Sequence, residues 1–184
     1  FRVTIPEEGS DQSKVHVESL KDFPYEPIPW GKRTVGGALG FVYAFESLYM
    51  TTMTGFYRIQ DTDGDDQYDK FELLKKLRMG YEHSAHSVIK SEDGRALYLV
   101  SGNYGRIPKD SPSLQPPVWA VDSLLHPMPD AMGHAVSIKP PGGWVCRISP
   151  DGKDWKMIAS GFRNPVDLAI NREGELFTFD SDLE

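Results

Sequence analysis

The sequence repeats itself over two pairs of short segments, and this repetition constrains the fold more than any other feature. Residues 55–64 and 143–152 each run from a glycine and an aromatic residue through a strand-like stretch to an Asp-Gly pair, whose glycine lies nine residues on. Residues 83–100 and 163–180 overlay in the same way, with an acidic residue and a glycine at the same place. Acidic-Gly pairs after strand-like stretches indicate hairpin turns, so two hairpin types alternate along the chain.

Besides this repetition, the main pattern of the sequence is that of short β-strands. Runs of four to six residues rich in aromatic and β-branched residues are bounded by Gly, Asp, Ser or Asn, as at 96–101 and 144–148. This predicts an all-β fold. Alternating hairpins joined by glycine corners are typical of a β-propeller with four-stranded antiparallel blades. Because a closed propeller needs about four or more blades, we expect an incomplete portion with about two or three blades.

The chain divides into two predicted regions. Residues 1–35 are expected to form an irregular lead-in, and residues 36–184 to form the propeller blades. Within the second region, residues 107–142 hold eight of the 14 prolines and show little alternation. This segment is predicted to be a long Pro-rich insertion between strands.

Composition excludes several classes of function. The net charge of −7, from 27 acidic and 20 basic residues, repels phosphate backbones and argues against nucleic acid as a partner. No run of about 18 apolar residues occurs, so no membrane-spanning segment is expected. The single cysteine, Cys146, excludes an internal disulfide, and the sequence has no C-x-x-C-H motif for haem attachment.

Two residues occupy equivalent positions in the second repeat. His83 and Arg163 each lie 11 residues before the glycine of their turn. In a propeller this position is the entrance of the innermost strand, and such entrances surround one end of the central channel, where ligands usually bind. The spacing also fits ordinary polar residues that bond loop carbonyls at strand starts. His86 is interpreted as a satisfied structural histidine, and it would face away from His83 if the strand alternates only after Ser87.

An acidic loop follows the first repeat. Its oxygen-bearing groups stand at loop positions one, three, five, seven, nine and twelve: Asp61, Asp63, Asp65, the backbone carbonyl of Gln67, Asp69 and Glu72. This is the spacing of oxygen ligands in a calcium-binding loop. Glycine stands at position four rather than six and no flanking helices are evident, so an EF-hand is not predicted. We predict a structural calcium ion that holds a hairpin turn, with a solvated Asp-Gly hairpin as the alternative.

The second repeat resembles segments of a known enzyme family. Residues 161–177, G-F-R-N-P-V-D-L-A-I-N-R-E-G-E-L-F, resemble the G-x-R-N-P-x-x-[LI]-x-x-x-x-x-G-x-[LI]-[YF] segment of soluble pyrroloquinoline-quinone-dependent glucose and sorbosone dehydrogenases. Residues 83–103 are more loosely similar to that family's N-H-x-x-G-x-L-x-x-G-P-D-G-x-L-Y-x-x-x-G-D segment, with His86 and Asn103 among the departures. With the D-T-D-G-D loop included, the pattern is most similar to the propeller of large bacterial membrane-bound dehydrogenases that also carry a c-type haem domain.

The resemblance implies roles for three residues. His83 would be the general base that takes a hydroxyl proton from a sugar or polyol while hydride passes to the quinone. Arg163 would polarise the quinone carbonyl that accepts hydride, and Asn164 would hydrogen-bond the same cofactor. The resemblance also implies calcium and pyrroloquinoline quinone as cofactors and a periplasmic or extracellular location.

Three functions stay open at this point. The first is part of a quinone-dependent dehydrogenase that oxidises a sugar or polyol. The second is a non-catalytic, calcium-stabilised propeller that serves as a binding or docking module in a larger envelope or electron-transfer assembly. The third is a propeller lactonase, for which Asn103, Asn164 and Asp180 are the available channel residues. The expected partners are a small sugar or polyol and either the remainder of the chain's own propeller or a larger assembly.

Overall fold

In the residues that the structure describes, the regular structure is almost entirely β. The computed structural model describes residues 1–19, 38–77, 82–114, 138 and 142–181. In this part of the chain there are twelve β-strands and one short 3-10 helix, Gln12–Lys14, and no helix there is long and apolar enough to cross a membrane. The predicted all-β fold class is confirmed.

The strands are short, with three to eight residues each. In chain order they are β1 (Arg2–Thr4), β2 (His16–Glu18), β3 (Gly40–Ala44), β4 (Ser47–Thr51), β5 (Gly55–Gln60), β6 (Lys70–Lys76), β7 (Ala85–Lys90), β8 (Leu97–Ser101), β9 (Gly143–Ile148), β10 (Trp155–Phe162), β11 (Pro165–Ile170) and β12 (Leu176–Asp180).

These strands form four antiparallel sheets. β1 and β2 form an N-terminal hairpin. The first sheet has the order β3-β4-β5-β6, the second has the order β7-β8-β9-β10, and the third contains β11 and β12. Each four-stranded sheet is therefore a meander, in which strands adjacent in sequence are adjacent in space. No sheet closes into a barrel within the described residues.

The repeats correspond to equivalent places in these sheets. The first repeat contains β5 and β9, which are the third strands of the first and second sheets. The second repeat contains the hairpins β7–β8 and β11–β12, which open the second and third sheets. The alternation of two hairpin types thus reflects successive antiparallel meanders.

Two turns of the second sheet are built from the same hydrogen bonds. In the turn between β7 and β8, Ser91 Oγ donates to Asp93 Oδ1 over 2.5 Å. In the turn between β9 and β10, Ser149 Oγ donates to Asp151 Oδ1, also over 2.5 Å. In each turn, the hydrogen bond from the serine hydroxyl is the main reason that the pKa of the aspartate carboxyl group is lowered. Side chains that bond within a turn fix its geometry locally.

The turn between β3 and β4 is formed differently. Phe45 and Glu46 both have positive φ, 51° and 53°, a conformation that two-residue hairpins need and that usually selects Asn or Gly. The Phe45 ring packs edge-on against Tyr49, with ring centroids 6.3 Å apart, and Lys90 Nζ lies 5.4 Å from the centre of the same ring. Tertiary contacts therefore hold a turn that the local sequence does not favour.

The three larger sheets stack face to face. β3 contacts β7, and β7 contacts β11, so the first strand of each sheet lies beside the first strand of the next. The main core lies between the first and second sheets and includes Tyr49, Phe56, Leu97, Leu99, Trp144, Ile148 and Trp155. A smaller cluster, Val100, Val145 and Leu168, lies between the second and third sheets. The second sheet is thus buried on both faces, and each such large side chain contributes about 1.5–3 kcal/mol through burial.

Parts of the two predicted irregular segments are visible. In the predicted lead-in, residues 1–19 contain the N-terminal hairpin, and the rest of that segment lies outside the described residues. At the start of the predicted insertion, Ser113 forms a single parallel bridge with Met157 of β10. Most of the insertion, residues 115–137 and 139–141, lies outside the described part.

Candidate functional site

Six side chains lie together at one end of the hairpins β7–β8 and β11–β12. We call this group the rim: His83, His86, Asn103, Arg163, Asn164 and Asp180. The first three belong to the β7–β8 hairpin or its flanks, and the last three to the β11–β12 hairpin or its flanks. The rim includes all three residues to which the family resemblance assigns catalytic or cofactor-binding roles.

His83 is oriented by Asn103. It lies just before β7 and is only 3% exposed, and its Nδ1 is 2.7 Å from Asn103 Oδ1. An amide oxygen only accepts hydrogen bonds, so Nδ1 carries the proton and Nε2 is the acceptor nitrogen of the neutral ring. The ring stacks on Tyr104, with centroids 4.8 Å apart. His83 is therefore held in the tautomer that a general base acting through Nε2 requires.

Asn103 also joins the two hairpins. Its backbone N–H donates to the carbonyl of Arg163 over 2.8 Å, while its side chain bonds His83. The equivalence of His83 and Arg163 in the repeat is thus matched by a shared neighbour in space.

The corner that carries Arg163 and Asn164 is fixed by one carboxylate. Asp180, at the end of β12, accepts the backbone N–H of Arg163 at 2.7 Å and that of Asn164 at 2.6 Å. The Arg163 guanidinium donates to the carbonyl and hydroxyl oxygens of Ser181 over 3.3 and 3.4 Å. Because a carboxylate accepts several bonds at once, Asp180 fixes the backbone at the corner that carries both side chains.

His86 belongs to the same group of contacts. Its Nε2 lies 2.7 Å from Asn164 Oδ1, which links β7 to the start of β11. The sequence interpretation gave His86 a structural role away from His83, whereas the structure brings it into contact with a residue of the predicted cofactor site.

The acidic loop brings three of its predicted ligands together. Single carboxylate oxygens of Asp61, Asp63 and Asp65 all lie within 4.8 Å of one another. The loop is otherwise built from local bonds, since the backbone N–H groups of Gly64 and Asp66 donate to the two oxygens of Asp61. Three oxygens at such separations suit a hard cation such as Ca²⁺.

The side chains of the other two predicted carboxylate ligands, Asp69 and Glu72, have partners of their own. The backbone N–H of Gln67 donates to Asp65 Oδ1. Asp69 accepts bonds from the backbone N–H and hydroxyl of Thr62. Glu72 lies on β6 and forms an ion pair with Arg58 across the sheet, at 2.6 Å. Ligation by these three residues stays a prediction.

Cys146 is a buried free thiol. Its thiol lies in the core of the second sheet, and burial raises the pKa of Cys146 to about 12. The thiolate form, which is the reactive one, is therefore scarce.

The pairing of strands within each hairpin identifies which residues lie next to the predicted site residues. Ala85 pairs with Ser101, so residues two before β7 and two after β8 lie opposite each other, and this places Asn103 beside His83. Pro165 pairs with Asp180, which brings that carboxylate to the corner before β11. The sequence offers Asn103 and Asp180 only as channel residues of a lactonase, and strand pairing is what makes them neighbours of His83 and of the corner before β11.

Comparison of the chain with protein-family models, with curated proteins and with solved structures gives no match. Its candidate function therefore rests on the residues and contacts of the rim and the acidic loop.

Proposed function

We propose that the chain is part of a β-propeller dehydrogenase that oxidises a sugar or polyol by hydride transfer to bound pyrroloquinoline quinone. The observation that carries the proposal is Asn103, which bonds both the His83 ring and the backbone of Arg163. A base and a cation at one end of two adjacent hairpins suit alcohol oxidation, because the hydroxyl proton and the hydride leave from neighbouring atoms.

The stacking of the sheets supports the propeller. In that fold each blade is a four-stranded meander and the first strands of the blades surround the channel. The contacts of β3 with β7 and of β7 with β11 agree with this arrangement. We propose that the third sheet is the beginning of a further blade.

The exposed aromatic side chains on the two outer faces of the sheet stack are evidence for additional blades. Phe41 and Tyr43 on the first sheet are 68% and 65% exposed, and Phe177 and Phe179 on the third sheet are 52% and 62% exposed. Paired aromatic side chains on open sheet faces mark interaction surfaces. In the proposed fold, the remainder of the propeller covers both.

Three rim residues would perform the reaction. His83 Nε2 accepts the hydroxyl proton of the substrate, and the ring becomes an imidazolium held by Asn103. The Arg163 guanidinium and the Asn164 Nδ2 amide group are donors, which fit the carbonyl and carboxylate oxygens of the quinone. When bound, the quinone would supply a two-electron acceptor for the hydride of the substrate carbon.

Calcium has a structural part in the proposal. An ion bound by Asp61, Asp63 and Asp65 would neutralise charge at the turn between β5 and β6, away from the rim. The same proposal gives the protein a periplasmic or extracellular location.

A titration with quinone tests the catalytic proposal. The protein would be titrated with pyrroloquinoline quinone and calcium, and dye reduction with aldoses and polyols would be assayed for wild type and His83→Ala. Loss of the base should lower kcat by about 10²–10⁴-fold, whereas His16→Ala in the N-terminal hairpin serves as the matched control. Wild-type protein that binds no quinone would refute the dehydrogenase.

One observation favours the second function, a binding module. A cavity of about 800 Å³ lies between the N-terminal hairpin and the outer face of the first sheet. Its lining includes Tyr43, Tyr68 and Asp61, and aromatic faces with carboxylate acceptors suit the apolar faces and hydroxyls of a saccharide. Saccharide binding measured by calorimetry without quinone, and lost in Tyr43→Ala but not in His83→Ala, would favour this function over catalysis.

A further inference from the structure

We infer that His86 is a positioning residue of the rim, which holds the side-chain amide of Asn164 with its Nδ2 group directed to the ligand. No role is assigned to His86 by the family motif, which has glycine at this position. The effect on cofactor binding rests on the proposed function, whereas the tautomer of the His86 ring does not.

A β-bulge aims His86 at Asn164. Ala85 pairs with Ser101 and Ser87 pairs with Val100, so His86 is an extra residue in β7. In a regular strand, side chains three residues apart point to opposite faces. A bulge bends the strand and redirects the extra side chain, and bulges are frequent beside functional sites.

The first sheet holds this bulge in place. A Cβ atom on Gly40 would lie 2.1 Å from the carbonyl oxygen of His86, so β3 approaches the bulge as closely as a glycine allows. Thr51 Oγ1 donates to the carbonyl of Ala85 over 3.3 Å and accepts the Gly40 N–H over 3.0 Å. The position of His86 is thus part of the packing between two sheets.

The bond to Asn164 fixes the tautomer of His86. Nε2 lies 2.7 Å from Asn164 Oδ1, and an amide oxygen only accepts, so Nε2 carries the proton. His83 bonds Asn103 through Nδ1 instead. In their neutral forms, the two rings of the rim therefore hold opposite tautomers.

The same bond determines which polar group of the Asn164 side chain can contact a ligand. Its backbone N–H is bound by Asp180 and its Oδ1 by His86. A Cβ atom on Gly102 would lie 2.7 Å from that Oδ1, so only glycine leaves room for this arrangement. Among the described residues, the Nδ2 group of Asn164 donates to no other residue, and it is left as a donor for carbonyl or carboxylate oxygens.

The first test is the tautomer of each ring. Long-range ¹H–¹⁵N NMR of the ¹⁵N-labelled protein, at a pH where the rings are neutral, should show His86 protonated on Nε2 and His83 protonated on Nδ1. Asn164→Leu should release His86 to the mixture of tautomers shown by the exposed His16. A His86 ring protonated on Nδ1 in the wild type would overturn the inference, whether or not quinone binds.

The second test separates positioning from a merely structural role. His86→Leu should weaken binding of pyrroloquinoline quinone about tenfold, the effect of one lost hydrogen bond, and His86→Gln, which keeps an N–H donor, should recover most of the affinity. Equal losses in both variants, or equal affinity in all three proteins, would contradict positioning. If no protein binds quinone, the proposed function fails, and the tautomer measurement still decides the role of His86.

Discussion

The rim and the acidic loop are both rich in polar side chains, yet they are built in opposite ways. The rim bonds join distant parts of the chain: His83 and Asn103 are 20 residues apart, and His86 and Asn164 are 78 apart. In the acidic loop, the carboxylate of Asp61 bonds backbone groups no more than five residues away. The geometry of the rim therefore depends on sheet packing, whereas that of the loop depends on local sequence.

Burial separates His83 from the loop carboxylates, whereas the other five rim residues are partly buried, as Asp61 is. His83 is almost completely buried, while two of the three clustered loop carboxylates, Asp63 and Asp65, are exposed. Changes at the rim should therefore alter the stability of the whole fold. Changes in the loop should instead alter its response to cations and to pH.

The largest loss of stability is expected from a substitution at the contact between the first sheet and the rim. Gly40→Ala places a methyl group against the carbonyl of His86 and should lower the free energy of unfolding by about 3 kcal/mol. Gly64→Ala in the acidic loop is the control, because its Cβ would meet nothing within 4 Å and its positive φ should cost only about 1 kcal/mol. Urea denaturation measures both. Equal effects would mean that the rim is not held by the first sheet.

The second largest change in stability is expected from calcium binding to the acidic loop. At a calcium concentration one hundredfold above Kd, the ion should raise the free energy of unfolding by about 2.7 kcal/mol, and a chelator should remove this gain. Asp63→Asn should abolish the response, whereas Glu92→Gln changes the charge equally at another turn. An unchanged melting temperature in wild type on chelation would leave the loop as a solvated hairpin turn.

A smaller loss is expected when the orienting residue of the rim is removed. Asn103→Leu deprives the buried Nδ1–H of His83 of its acceptor and should cost about 2 kcal/mol of stability. Asn103→Asp keeps the acceptor and should restore most of it. The difference is measured by thermal unfolding at pH 7. Similar losses in both variants would argue against the His83–Asn103 bond.

The smallest effect is expected on the pKa of a turn carboxyl group. The turn between β7 and β8 is built from local bonds, as the acidic loop is. Ser91→Ala removes the main cause of the lowered pKa of Asp93, so this pKa should rise towards its ordinary value. A carboxyl group with a lowered pKa in the folded state stabilises above its unfolded pKa and loses that contribution as pH falls through its folded pKa. NMR titration of the Asp93 carboxyl group measures the shift, and Ser10→Ala is the control. No change in Ser91→Ala would mean that the hydroxyl does not set the titration.

The turn chemistry of the sequence predicts the hairpins that contain acidic-Gly pairs, but not the N-terminal hairpin β1–β2, which lies in the predicted irregular lead-in. The stretches 55–60, 96–101 and 144–148 each overlap a strand, and the acidic-Gly pairs form their turns. β3, however, is not predicted by the sequence patterns. Its turn contains Phe45 and Glu46 instead of Gly or Asn, and the aromatic contacts that hold this turn come from tertiary packing.

The sequence by itself determined the all-β class, the succession of two hairpin types and the equivalence of His83 and Arg163, because period-two patterns and turn residues act over a few neighbouring residues. Only the tertiary structure decided that Asn103 orients His83, that a bulge turns His86 towards Asn164 and that Glu72 pairs with Arg58. These contacts depend on strand register and on how sheets stack, and a shift of one residue in register reverses the face of every side chain.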